Sequence, residues 1–194
     1  MVTQAVVVDP LIERLREAVR LRNVNAITER IKHELETFIP DEGLRLPERF
    51  RTPQPDCYAR RLLYRDPELD FTAVVMTWGP GQRTALHDHA GIWCVEGVVE
   101  GEMEVCRYEL TGEEGDDLCR FEERGRVRAT AGSAGALIPP FEHHVLGNPH
   151  PDRTSLTLHI YGGEMDHCSV FEPVEPEAPA GLYRRRFHAL HYTE

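Results

Sequence analysis

The sequence predicts a mainly β, antiparallel sandwich or barrel with a helical cover on its N-terminal side. Three observations lead there. From Tyr58 onward the chain reads as short β-type runs separated by Gly, Pro and Asp, with no helical period between them. Before that, residues 9–38 carry apolar side chains at helical spacing. With 194 residues, 41% of them apolar and 28% charged, the chain has the size and composition of one ordinary globular domain.

Asp9-Pro10 reads as a helix start, an N-cap followed by proline at the first helical position. Leu11, Leu15, Ala18 and Val19 then share a face. A break at Asn23-Val-Asn25 caps a second helix, whose stripe is Ile27, Ile31, Leu35 and Phe38 and whose end is Pro40-Asp-Glu-Gly43. Both helices read as structural cover packed on a sheet. Residues 44–57, rich in Pro and Arg, form a loop into the body. The β-type runs are Ala59–Tyr64, Phe71–Trp78, Thr84–His89, Trp93–Val99, Glu102–Leu110, Ala136–Ile138, His144–Leu146 and Thr154–Tyr161. Cys168–Phe171 and Tyr183–His188 add two more, the last one after a proline-spaced connection from Glu172 to Gly181. The expected organisation is a single domain over 1–194, with cover at about 9–40, barrel at about 58–171 and a C-terminal extension and strand at 172–194.

Composition excludes several classes of function. A net charge of −11 without a basic face argues against nucleic acid. The densest acidic stretch, Glu113-Glu-Gly-Asp-Asp117, reads as a solvated loop tip. No apolar run reaches membrane-spanning length, and the opening residues lack the basic and apolar regions of a secretory signal, so a cytoplasmic protein without membrane partners is expected. The odd set Cys57, Cys94, Cys106, Cys119 and Cys168, without a CxxC pair, reads as free thiols. The sequence leaves the oligomeric state open, between a monomer and a small homo-oligomer.

The candidate chemistry centres on His87-Asp-His89. On a strand, alternation puts both imidazoles on one face and Asp88 on the other, a geometry that holds one metal ion. The pair alone is weak, because 10 histidines in 194 residues produce ~0.5 such pairs by chance. Its surroundings add specificity. Gly81, five residues, His87-x-His89, four residues, Cys94, six residues and Gly101 resemble the first cupin motif, with cysteine where most cupins place a glutamate ligand. Pro139, His144 and Asn148 resemble the second motif, although Phe141 stands where glycine is usual and Ser133 where the leading glycine would be. That spacing favours His144 as the third ligand, with His143 pointing outward. Three neutral imidazoles leave the full +2 charge on the metal, which favours an anionic substrate such as a thiolate, and they leave positions open for substrate and O₂.

Taken together, the stretch from Tyr58 to Phe171 resembles the cysteine dioxygenases, thiol dioxygenases on a cupin barrel. The residues that carry the resemblance are Tyr58-Ala-Arg60, Trp78-Gly, His87-Asp-His89 with Cys94, His144 with Asn148, Thr157-Leu-His159-Ile-Tyr161 and Cys168. It implies Fe(II) as cofactor, a small thiol and O₂ as substrates, and a sulfinic acid as product. It also implies roles: His87, His89 and His144 as iron ligands, Arg60 assisted by Tyr58 as the carboxylate site, and Tyr161 beside the reacting atoms. Further, His159 hydrogen-bonds the tyrosine, Thr157 completes the triad, Cys94 and Tyr161 occupy the thioether positions of animal members, and Trp78 and Cys168 shape the site. Thr157 stands where the family has serine, and Gly162-Gly-Glu replaces the proline-containing turn of animal members, which leaves the thioether open. Taken singly, Arg60 beside Arg61 reads as a surface arginine, Cys94 as a buried hydrophobe, and Tyr161, Trp78 and His159 as core residues. L-Cysteine is the expected substrate. The alternative is 3-mercaptopropionate, whose enzymes usually carry glutamine at the Arg60 position, glycine at the Cys94 position and an arginine after the triad tyrosine. A metal-binding cupin without catalysis is the third reading.

Overall fold

The computed structural model describes residues 8–40, 44–115, 117–174 and 180–194. The expected helix stop at residues 41–43, the opening residues 1–7, Asp116 of the acidic stretch and residues 175–179 of the proline-spaced connection lie outside them. Two helices open the chain, α1 (Asp9–Val19) and α2 (Val24–Phe38). Asp9 is the first helical residue, not the cap: Val8 occupies the N-cap without a side-chain bond, and Asp9 places its charge in the first turn. Asn23 caps α2 as expected, its side chain accepting from the Ala26 N–H at 3.2 Å. A short 3₁₀ turn, Glu48–Phe50, interrupts the loop that follows.

Among the described residues eleven strands follow: β1 (Ala59–Arg65), β2 (Thr72–Trp78), β3 (Leu86–His87), β4 (Cys94–Glu100), β5 (Glu102–Glu114), β6 (Leu118–Thr130), β7 (Ala134–Leu137), β8 (His144–Gly147), β9 (Ser155–Tyr161), β10 (His167–Pro173) and β11 (Leu182–Ala189). One sheet runs β1-β2-β9-β4-β7. The other, β10-β11-β6-β5-β8-β3, closes on itself through β3 pairing with β10. All pairings are antiparallel, so the expected class is the observed one.

The first sheet is sandwiched, and its period-2 alternation sorts side chains into two cores. On one face Ala73, Val75, Val95, Leu156, Leu158 and Ile160 pack against Leu11, Leu15, Ile31, Leu35 and Phe38 of the helices. On the other, Val74, Met76, Trp78, Cys94, Val98 and Tyr161 face the barrel interior. The helices come close because Gly97 has no side chain: a Cβ there would lie 3.2 Å from Leu35 and from Ile39.

The sequence reading misses β6 altogether. Of its 13 residues only Cys119 and Phe121 are buried, so no apolar period marks it. Cross-strand charges hold it to β5 instead: Arg128 to Glu102 at 2.9 Å, Arg124 to Glu109 at 2.5 Å and Arg120 to Glu114 at 2.6 Å. All five cysteines are free, with only Cys57 exposed. Among the described residues, no helix is long and apolar enough to cross a membrane.

Candidate metal centre

His87 ends β3, His89 follows in the adjoining turn, and His144 opens β8 directly across the ladder from His87. Their ligand atoms all lie within 4.8 Å of one another, with ring centroids 4.7–5.2 Å apart. Asp88 points the other way, as alternation requires, and accepts the Ser169 N–H at 2.8 Å and the Ala90 N–H at 3.2 Å. His143 turns away from His144, but it is not outward in the sense of exposed. It is buried, with its ring 4.9 Å from Phe121 and 5.5 Å from Phe171.

Hydrogen bonds select the nitrogen that each ring offers. His87 Nδ1 donates to the Ala85 carbonyl at 3.0 Å, and His89 Nδ1 donates to Glu142 Oε2 at 3.1 Å. The same Glu142 oxygen accepts the His89 backbone N–H at 2.9 Å. Nε2 is left free on both rings, with the outer nitrogen anchored in the manner of metal-bound histidines. His144 is fully buried and neither of its ring nitrogens has a partner, an expensive arrangement unless a ligand completes it. Burial, reinforced by neighbouring His89, lowers the His87 pKa to about 3. Burial likewise takes His89 to about 4 and His144 well below its ordinary value. All three are neutral at pH 7, the form that ligates. Three converging neutral imidazoles, with both nitrogens of buried His144 orphaned, fit a divalent cation.

β9 supplies the wall beside these rings. Thr157, His159 and Tyr161 alternate onto its interior face, opposite Leu156, Leu158 and Ile160 on the helix side. The Trp78 indole N–H donates to Thr157 Oγ1 at 2.9 Å, and Thr157 Oγ1 lies 2.8 Å from His159 Nε2. The ring of His159 stacks on Tyr161, with centroids 6.0 Å apart at 17°. The hydrogen bond of His159 therefore goes to Thr157, and its contact with the tyrosine is a stack. Tyr161 is the Cα partner of Cys94 across the β4–β9 ladder, and both are buried. Burial raises the Tyr161 phenol well above its ordinary value, with Cys94 adding to the rise and Arg60 opposing it.

Arg60 is no surface arginine. It is 5% exposed and pairs across the sheet with Met76 of the interior core. Its guanidinium donates to the Met165 carbonyl at 2.9 Å and lies 5.3 Å from the centroid of the Tyr192 ring, yet it has no ion-pair partner among the described residues. The segment Leu190–Thr193 straps it in place: the Thr193 N–H donates to the Arg60 carbonyl at 2.6 Å, and Tyr192 OH donates to Glu164 at 2.7 Å. Tyr58 stacks on Trp78 at 4.5 Å. Cys168 is buried on β10, its thiol pushed up to about 11 by burial and by Asp88, against the opposing charge of Arg60. Asn148 is a staple, its amide donating to the carbonyls of Trp78, Gly79 and Arg153 at 3.1, 3.0 and 2.7 Å.

The family of cysteine dioxygenases of type I matches residues 2–173, most of the chain. The chain belongs to that family. Rat cysteine dioxygenase type 1 is 19% identical over 102 residues, covering 53% of this chain and 50% of that one. The chain thus spans about half the length of the curated relatives it matches. Among solved structures, a Thermus thermophilus protein, TT1209, is similar at a TM-score of 0.44 and 20% identity, covering 60% of this chain and 93% of that one. An uncharacterised Klebsiella pneumoniae protein with a double-stranded β-helix domain is similar at 0.44 and 19%, covering 62% and 86%. Among the described residues the chain has the expected cupin-type architecture, mainly β with antiparallel sheets and two α-helices.

Three participants escape the sequence reading. Glu142 stands behind His89. Glu96, two residues beyond Cys94 on the same face of β4, lies 3.7 Å from His144 Nδ1 and 3.6 Å from His159 Nδ1. Burial raises its carboxyl to about 8. The strap at Leu190–Thr193 is the third. The three candidate ligands are imidazoles, and two acidic side chains, Glu142 and Glu96, stand directly behind them. The signal for Glu96 was its in-register position with Cys94, and for Glu142 its in-register position with His144.

Proposed function

We propose that this protein is an Fe(II)-dependent thiol dioxygenase that oxidises L-cysteine with O₂ to cysteine sulfinic acid. One thiol and one O₂ give one sulfinic acid, both oxygen atoms ending on sulfur. The observation that carries the reading is Arg60, a buried guanidinium without a carboxylate partner among the described residues, set in the same interior as three converging neutral imidazoles. A buried charge costs stability unless something pairs with it, and a substrate carboxylate is a fitting counter-ion.

His87, His89 and His144 would hold the iron, which when bound supplies open positions for a thiolate and O₂ and the redox chemistry that joins them. The protein's own residues do the rest. Arg60 forks the carboxylate, already oriented by Met165 and the Tyr192 ring, so that the thiol end reaches toward the histidines. Tyr58 closes that end through its stack on Trp78. Tyr161, kept as a neutral phenol by burial, donates a hydrogen bond beside the reacting sulfur and does not compete as a base. Thr157 and Trp78 fix His159, and His159 fixes the plane of the Tyr161 ring. The buried walls would exclude bulk water from the bound thiol. Cross-strand pairing of Cys94 with Tyr161 supports a thioether formed at the expense of O₂ during turnover, visible as the loss of two hydrogen atoms in intact mass.

The test is anaerobic reconstitution with Fe(II), then oxygen uptake and sulfinate detection with cysteine and 3-mercaptopropionate side by side. Cysteine is expected to be the better substrate. A large preference for the amine-free acid moves the substrate choice to 3-mercaptopropionate, and no uptake with any small thiol sinks the enzymatic reading.

A further inference from the structure

Four buried polar atoms without hydrogen-bond partners gather behind the metal centre: Oε2 of Glu96, Nδ1 of His159 and both ring nitrogens of His144. Their positions are set by sheet register, not by a mobile loop. Glu96 faces the barrel interior from β4 and is the Cα partner of His159 on β9. One carboxylate oxygen stands 3.7 Å from His144 Nδ1 and the other 3.6 Å from His159 Nδ1.

A proton inventory of the neighbouring groups gives this carboxylate a task. The Trp78 indole only donates, and it donates to Thr157 Oγ1. The same oxygen also meets His159 Nε2 at 2.8 Å. If the Thr157 hydroxyl donates to Nε2, both groups are satisfied, and His159 carries its N–H on Nδ1, facing Glu96. The other tautomer leaves the Thr157 hydroxyl proton without an acceptor. His144 meets the other oxygen of Glu96 through Nδ1, so an N–H there satisfies both and turns Nε2 toward His87 and His89.

We propose that Glu96 is a positioning residue: it gathers the Nδ1–H groups of His144 and His159, fixes His144 as an Nε2 ligand, and ties the metal centre to the Trp78–Thr157–His159 chain. This rests on the metal reading above. It assigns Glu96 no place in the ligand set and makes it the partner of His144 that Glu142 is to His89. The gaps of 3.6 and 3.7 Å are within a small rotation of the Glu96 carboxyl group from hydrogen-bond length.

The experiment uses the full chain with Zn(II) as a diamagnetic probe. Affinity is measured by chelator competition, and ring tautomers by NMR of ¹⁵N-histidine-labelled protein. The parent is expected to show Nδ1–H on both His144 and His159. Glu96→Gln, which keeps shape but offers one acceptor and one donor, is expected to lose one of those N–H signals and to weaken Zn(II) binding by about 10- to 100-fold, the usual cost of losing such a partner. The signals of His87 and His89 should stay in place. Glu96→Asp serves if the amide variant folds poorly, and it should restore one of the two contacts and part of the affinity. Parent-like Zn(II) affinity in Glu96→Gln, or Nε2–H on His144 in the loaded parent, overturns the proposal. A parent that takes up no Zn(II) overturns the metal reading itself.

Discussion

Replacing Arg60 by methionine keeps most of the aliphatic stem and removes the charge. In the folded chain the guanidinium spends donors on the Met165 carbonyl at 2.9 Å and leans on the Tyr192 ring, and no carboxylate neutralises it among the described residues. Nη1 also makes a long contact with the His191 carbonyl at 3.5 Å, which a substrate carboxylate would displace or share in a forked contact. Each charge-assisted hydrogen bond is worth about 1.5–3 kcal/mol. After desolvation of substrate and site, a net loss of about 3 kcal/mol is expected, roughly 100-fold in kcat/KM. The loss should fall mainly on KM for cysteine, because the carboxylate contact is made before and during the reaction alike. Cysteamine, which is cysteine without its carboxylate, supplies the control. The parent should handle it about as poorly as Arg60→Met handles cysteine, and the variant should handle both thiols equally. The assay is initial-rate oxygen uptake over a range of each thiol, with melting temperature recorded to show that the variant is folded. If Arg60→Met turns over cysteine with parent kinetics, Arg60 is not the carboxylate site and the observation that carries the functional reading is gone.

Other outcomes follow from single contacts. Glu142→Gln removes the charged acceptor that His89 meets twice, so metal affinity should drop about 10- to 100-fold in chelator competition, and an unchanged affinity would remove Glu142 from the support of the site. His87 and His89 have folded pKa values of about 3 and about 4, below the ordinary 6.5, so the unfolded chain takes up protons first as pH falls. Metal-free protein should hold its full stability above about pH 6.5 and lose on the order of 1.4 kcal/mol per histidine per pH unit below it, down to about pH 4. A melting temperature that stays flat from pH 6.5 to 4, or that falls as steeply in His87→Asn, contradicts this. Gly162→Ala would put a Cβ 2.2 Å from the Trp93 indole, just past Tyr161, and should cost about 1–3 kcal/mol by overpacking, read as a lower denaturation midpoint; full parental stability would mean the indole moves freely aside.

Period-2 chemistry was the legible part of the site. Thr157, His159 and Tyr161 alternate along one strand, so their common face followed from alternation. His87 closes its short strand and His89 lies just past it, so that pair was legible from spacing and not from a continuous strand. The helices were legible because Leu11, Leu15, Ile31, Leu35 and Phe38 repeat at the spacing of one buried stripe. β6 was not, since a strand held by cross-strand Glu–Arg pairs has no apolar period to read. Glu96 and Glu142 stayed hidden for a different reason. Carboxylates are common on surfaces, and only the fold reveals that these two are inside, facing imidazoles. The strap over Arg60 was out of reach as well, because Thr193 meets Arg60 across 133 positions of sequence.

The two-sided packing of β9 has an implication for how the molecule tolerates change. Leu156, Leu158 and Ile160 answer only to the helical cover, while Thr157, His159 and Tyr161 answer only to the cavity. One ribbon of backbone therefore carries two vocabularies that are read by different neighbours. Apolar swaps on the cover side, matched by changes in α1 and α2, offer a route to a hardier protein that leaves the candidate site untouched. The same swaps on the other side would remove the polar contacts that line the candidate site.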